Sequence, residues 1–162
     1  MGQGYHFICK KCHEKYSADV GSGMLQPMAC EKAFSKIASG AYGAERKRLV
    51  EELPCVAVSG NLELYVCSSC NRWESTLDLT LYEPNESDYV PEFTIGGETR
   101  WCGAPFVDEW ELCQDYHVIK RYYHICTQCG RRMHKASEQE TLNLTCPKCG
   151  TPNWIDSIFM WD

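Results

Sequence analysis

The chain is 162 residues long, with a formal net charge of −6, 44% hydrophobic and 23% charged residues, which is the size and balance of one ordinary domain or two very small ones. No run of 18 apolar residues occurs, which excludes a membrane-spanning helix. The opening MGQGYHFICKKC has no apolar core of the kind a secretory signal carries, and His6 stands where a myristoylation motif has a hydroxyl, so the expected location is cytoplasmic.

In chain order, YHFIC leads into the pair Cys9/Cys12. PMACEKAFSKIASG then predicts a helix, with Pro27 at its start and Gly40 at its stop. Ala29, Cys30, Ala33, Phe34, Ile37 and Ala38 form its apolar face. A second short helix is expected from about Ala44 to Leu53. CVAV and LELYVC flank SGN and predict strands around a turn. The second of these runs into Cys67/Cys70. From Glu74 to Tyr116 the chain is rich in Pro, Gly and acids and reads as a loop-rich connector, with one or two helical turns at VDEWELCQ. DYHVIKRYYHIC alternates like a strand running into Cys126/Cys129. TLNLTC leads into Cys146/Cys149, and an aromatic tail closes the chain.

Twelve cysteines are the anomaly, and eight of them fall into four C-x-x-C pairs. In a reducing compartment such pairs are metal ligands or redox dithiols, and four redox motifs in so short a chain are out of proportion. Zinc takes four tetrahedral ligands and binds thiolates well. The residue after each pair is Gly130 and Gly150 in the C-terminal half and His13 and Asn71 in the N-terminal half, at the place where the turn needs a left-handed backbone.

The pairs alternate in kind. Tyr-His lead-ins precede Cys9/Cys12 and Cys126/Cys129, whereas alternating apolar stretches precede Cys67/Cys70 and Cys146/Cys149. This internal repeat, with the C-x2-C-x16-C-x2-C spacing of the second half, predicts one site from Cys9, Cys12, Cys67 and Cys70 and another from Cys126, Cys129, Cys146 and Cys149, with a crossed pairing between the halves as the alternative that the repeat order disfavours. The expectation is a small α+β metal-stabilised fold with two zinc ribbons. Residues 1–82 form the first, with a helical insert at about 24–53; 83–116 form an acidic connector; 117–162 form the second ribbon and tail. Two zinc ions are the expected cofactors, with iron as the alternative, because four-sulfur tetrahedral sites suit either metal.

Four cysteine ligands close a coordination sphere, while a catalytic zinc keeps a position open. No H-E-x-x-H, P-loop or G-x-S-x-G occurs, and no catalytic residue is assigned. Cys30 and Cys55 read as packed core thiols. Cys102, Cys113 and His117 offer the ligand types of a third site. His6 and His124 precede knuckles at matching places and read as hydrogen-bonding neighbours of the sites or as strand residues, rather than as ligands.

Charge is uneven. Residues 74–116 hold 11 acids and one base, whereas 117–150 hold six bases and two acids. Lys120, Arg121, Arg131, Arg132 and Lys135, with nearby tyrosines, are candidate nucleic-acid contacts. Basic residues beside four-thiolate sites also offset the sites' own negative charge. The first expectation is a protein partner, met by the acidic connector and by aromatics such as Trp101, Trp110, Trp154, Phe159 and Trp161, the alternative for these aromatics being that they fill the core between the ribbons. Nucleic acid is the second.

The two-knuckle pattern resembles the zinc-ribbon superfamily, well from Tyr123 to Trp154 and partly around 5–16 and 62–73. CPKCG also resembles the knuckle of rubredoxin, an iron electron carrier. The layout as a whole looks like a group of small uncharacterised bacterial proteins that open with a tyrosine-led C-x-x-C, carry a helical insert and end in a second ribbon with a tail like FMWD. That resemblance implies a fold and metal sites and no particular activity.

Overall fold

The computed structural model describes residues 2–23, 26–53, 55–59, 61–86, 92–95, 98–101, 106–107 and 109–161. In chain order the elements are β1 (Gly2–Cys9), β2 (Lys15–Gly21), α1 (Gln26–Ala38), α2 (Ala44–Glu52), β3 (Ala57–Ser59), β4 (Leu62–Val66), β5 (Trp73–Leu77), β6 (Leu81–Pro84), β7 (Glu92–Ile95), β8 (Glu98–Trp101), β9 (Phe106–Val107), α3 (Glu109–Asp115), β10 (Tyr116–Lys120), β11 (His134–Lys135), α4 (Glu138–Leu142) and β12 (Asn153–Trp161). It is a small α+β protein whose strands are mostly antiparallel.

The chain divides into two compact units, and neither is a continuous stretch. One unites Met1–Met24, Asn61–Leu77 and Tyr123–Asp162; the other unites Leu25–Gly60 and Asp78–Tyr122. This division cuts across the consecutive blocks 1–82, 83–116 and 117–162 that the sequence suggested. The connector contains β6 to β9 and α3 rather than loop alone.

The first unit is one sheet in the order β11-β4-β2-β1-β12, with β5 also on β4. β5 takes one edge of β4 along its length. The other edge is shared: Leu62 meets Gly21 of β2, while Tyr65 and Val66 meet Lys135 and His134 of β11. Tyr5, Phe7, Ala18, Leu64, Trp73 and Leu144 form its buried core. Period-2 alternation on β1 puts Tyr5 and Phe7 on one face, and the Trp73 indole N–H satisfies itself on the Thr145 carbonyl at 2.9 Å. The aromatic tail is β12, which pairs with β1 from Gly2↔Trp161 to Cys9↔Asn153, with a bulge beside His6 and Phe7.

In the second unit α1 buries Cys30, Ala33 and Ile37, on the face read from the sequence. It stops at Gly40, whose φ is +91°. β10, β6, β3 and β9 form a sheet over Ala57, Val107, Leu112 and Tyr116. β3 and β4 are both strands, as CVAV and LELYVC predicted, but they form no hairpin: β3 pairs with β6 and β9, and β4 belongs to the other sheet.

Arg46 is a buried charge in this unit, 8% exposed. Its guanidinium donates to the Leu79 carbonyl at 2.5 Å and the Arg121 carbonyl at 2.8 Å, near the two ends of the Asp78–Tyr122 stretch. Asp78, also buried, accepts from the Thr80 N–H and hydroxyl, and that hydroxyl accepts from the Tyr122 N–H. A charge this deep is tolerated because its hydrogen bonds are made.

Candidate metal centres

The four C-x-x-C turns are built alike. In each, the N–H four residues after the first cysteine bonds back to that cysteine's carbonyl: His13 to Cys9, Asn71 to Cys67, Gly130 to Cys126 and Gly150 to Cys146. The first cysteine's own N–H reaches the carbonyl five residues on, at Glu14, Arg72, Arg131 and Thr151. The closing residue is left-handed every time, with φ of +58° at His13, +55° at Asn71 and +69° at both glycines. The equivalence drawn from sequence between these four positions holds in the backbone.

Eight sulfurs gather into two clusters, but the partnership differs from the expected one. Cys9 and Cys12 meet Cys146 and Cys149; Cys67 and Cys70 meet Cys126 and Cys129. The expected quartets Cys9–Cys12–Cys67–Cys70 and Cys126–Cys129–Cys146–Cys149 are not formed. The reason is strand pairing. β1 runs along β12, which sets Cys9 opposite Asn153 and brings the first turn to the fourth. β11 runs along β4, which brings the third turn to the second. The ligand sets are nested, one inside the other in sequence.

Within each cluster all four sulfurs lie within 4.8 Å of one another. The closest separations are 3.4 Å for Cys9–Cys149, 3.6 Å for Cys12–Cys146, 3.5 Å for Cys67–Cys129 and 3.6 Å for Cys70–Cys126. A tetrahedral ion with metal–sulfur bonds of about 2.3 Å has sulfur–sulfur edges of about 3.8 Å. A disulfide needs about 2.05 Å. The clusters therefore have the size of a four-thiolate metal shell, and both can hold a metal ion.

The electrostatics of the clusters suit a cation. In each cluster one thiol is drawn down and another pushed up. Ser69 N–H, working against burial and joined by Cys70 N–H, lowers Cys67 to about 6. Burial raises Cys146, but the Tyr16 hydroxyl and the Cys149 and Lys148 N–H groups lower it to about 6. The Arg72 N–H favours the Cys70 thiolate, yet burial and the neighbouring thiols push it up to about 12. Cys12 behaves likewise: the Glu14 N–H is outweighed by burial and by Cys9, Cys146 and Cys149, again to about 12. Ionising all four thiols this close together is strongly disfavoured without a positive charge between them.

Each cluster is also tied across its two turns by side chains with no local signal in the sequence. Tyr16, four residues past Cys12, sets its hydroxyl 3.4 Å from Cys146 Sγ. Glu74, four residues past Cys70, accepts from the Thr127 hydroxyl at 2.5 Å, the Thr127 N–H at 3.2 Å and His124 Nε2 at 2.8 Å. Arg72 Nε adds a further donor at 3.1 Å. Lys148 pairs with Glu14 across the first cluster. His124 is thus a hydrogen-bonding neighbour of its site, as read. His6 is a residue of strand β1, the other of the two readings, and meets Ser157 at 3.0 Å and the Phe159 ring.

The remaining candidates are placed as follows. Cys102 lies outside the described residues. Cys113 is exposed and joins no cluster among the described residues, and His117 faces Asn85 and Glu83. Cys30 and Cys55 are both buried, as read, and Cys55 is in addition disulfide-bonded. Lys120 and Arg121 belong to the second unit, and Arg131, Arg132 and Lys135 to the first. Lys120 is paired with Glu45 at 2.5 Å and Lys135 with Glu63 at 3.0 Å, while Arg132 lies over the Tyr123 ring at 3.2 Å. Trp110 and Trp154 are exposed, and the Trp101 and Trp161 side chains lie outside the described set. Among the described residues no helix is long and apolar enough to cross a membrane.

Fold and site together define a small α+β protein with two four-cysteine clusters suited to metal. No protein-family model matches the sequence, and no curated protein or solved structure matches it significantly.

Proposed function

We propose that this is a structural zinc protein of the zinc-ribbon kind, carrying two ions and serving as a protein-interaction module. The observation behind the metal reading is that the four sulfurs of each quartet lie within 4.8 Å of one another, with the closest contacts at 3.4 to 3.9 Å, and four cysteine ligands fill a tetrahedral shell. When bound, the ion supplies positive charge and cross-linking. The chain's own residues position the sulfurs and donate N–H bonds to them. Because each ion joins turns far apart in sequence, binding it is folding energy, on the order of 10 kcal/mol per site in favourable cases.

The interaction reading is supported by β12. This strand pairs with β1 on one side and has no strand on the other among the described residues. It carries exposed Trp154, Ile158 and Met160. An open strand edge with apolar side chains is a surface proteins use for partners. A nucleic-acid role is the second reading, resting on Arg131 and Arg132, which have no acidic partner among the described residues, and on the half-exposed Tyr123. Lys120 and Lys135 support it less, since each faces a glutamate.

Elemental analysis of protein purified without added metal, with its visible spectrum, tests the metal reading. Two zinc ions per chain and no colour are expected. Iron with visible absorption would replace this reading with that of an electron carrier, and metal-free folded protein would remove it.

A further inference from the structure

The two clusters share a plan but differ at the sulfurs. In the Cys9–Cys12–Cys146–Cys149 cluster two side-chain hydroxyls reach sulfur directly: Tyr16 lies 3.4 Å from Cys146 and Thr151 lies 3.5 Å from Cys149. Once those cysteines are thiolates, the hydroxyls are the donors. In the Cys67–Cys70–Cys126–Cys129 cluster no side-chain hydroxyl reaches a sulfur among the described residues. Its cross-link, through Glu74, goes to the turn's backbone N–H and to Thr127 instead. Of the eight cysteines Cys129 alone is exposed. It is followed by Arg131 and Arg132, which have no acidic partner among the described residues.

We propose that the clusters are chemically inequivalent: the first holds its ion permanently, and the second is a modification site at which soft electrophiles attack Cys129 and release the ion. This rests on the metal reading above. A hydroxyl donating to a thiolate withdraws charge from sulfur and lowers its nucleophilicity; a metal-bound thiolate without such a donor keeps its reactivity if reagent can reach it. Each cluster buries two of its cysteines, Cys9 and Cys146 in the first and Cys67 and Cys126 in the second; in the first, Cys12 and Cys149 are half-buried and Cys146 and Cys149 both have hydroxyl donors. In the second, reagent reaches Cys129 from solvent. With a maleimide, the Cys129 sulfur adds to the carbon–carbon double bond, a new S–C bond forms, and the neighbouring carbon takes a proton from water. The alkylated sulfur, now a neutral thioether, is a poor ligand; its bond to the ion breaks, the ion passes to the chelator, and the three freed thiolates take protons from water or add to further maleimide.

The test is N-ethylmaleimide at limiting amounts on the metal-loaded protein. Released metal is followed with a chromogenic chelator, and the labelled cysteines are identified by mass spectrometry. One equivalent should leave first, with label at Cys129, on the order of tenfold faster than at Cys149. Tyr16→Phe with Thr151→Val should narrow that gap by raising the rate at the first cluster. The proposal is overturned if both ions leave together, if Cys12 or Cys149 is labelled first, or if the double substitution leaves both rates unchanged. Protein that carries no metal before reagent is added would instead overturn the metal reading, and this proposal with it.

Discussion

Cys9 and Cys149 stand 140 positions apart in the chain and 3.4 Å apart at sulfur. That contact fixes which turns gather in one cluster, and a paired-substitution experiment reads it directly. Cys9→Ser with Cys146→Ser strikes one cluster, so one bound ion should remain. Cys9→Ser with Cys67→Ser strikes both, so none should be held firmly. Metal per chain, measured after gel filtration, separates the nested arrangement from the sequential one, for which the outcomes are reversed.

Glu74 should make stability depend on acid in a defined window. Burial raises its pKa, but the Thr127 hydroxyl, His124 and the Thr127 N–H together lower it to about 2. A carboxylate held below its unfolded value, about 4.3, stabilises the fold fully above that value and ceases to do so as pH falls through about 2. Glu74→Gln should therefore cost about 1–3 kcal/mol near neutral pH. The gap between the two proteins should shrink from about pH 4.5 downward. Denaturation of both, metal content matched, at several pH values checks this; a gap independent of pH would show that the charge is not what matters.

Arg46→Ala should destabilise the second unit by about 3 kcal/mol, because two charged hydrogen bonds are lost and the Leu79 and Arg121 carbonyls lose their donor. Lys at this position restores at most one of the two bonds, so Arg46→Lys should recover less than half of the loss. Urea denaturation followed by fluorescence provides the comparison, and equal stability of Lys and Arg would contradict the bidentate role.

His13→Gly should stabilise the protein. His13 is left-handed at φ +58°, where the corresponding residues of the third and fourth turns are glycine. A non-glycine residue there costs about 1–2 kcal/mol, and glycine returns part of that gain through the flexibility of the unfolded chain. The net should be about 0.5 kcal/mol, with Asn71→Gly closer to zero because asparagine tolerates this conformation. Thermal unfolding at fixed metal content measures both.

Much of the local architecture was legible in the sequence. Cys-x-x-Cys spacing, the residue after each pair, and the run from Pro27 to Gly40 are signals complete within a few residues, and the turns and α1 formed as they indicated. Ligand partnership was not legible in that way. The sixteen residues between Cys129 and Cys146 have a suitable length for one ribbon, yet β11 within them turns to β4, and β12 after them turns to β1. That choice is made by sheet register between distant segments, which spacing does not encode. The same holds for Ser59-Gly60-Asn61, where a local turn signal sits between strands of two different sheets. Glu74 and His124, 50 positions apart, carry no mark of their contact until the fold brings them together.

Nesting also sets a timetable for a chain emerging from the ribosome, where N-terminal segments appear first. Cys9 and Cys12 are made first and wait longest. The inner quartet is complete when Cys129 appears, while the outer one is still missing both of its late ligands, which arrive only with Cys146 and Cys149. For that interval the earliest-made pair of thiols is exposed with two ligands out of four, and the strand that will cover β1 does not yet exist. β12, which pairs with β1, follows all eight of these cysteines in the chain.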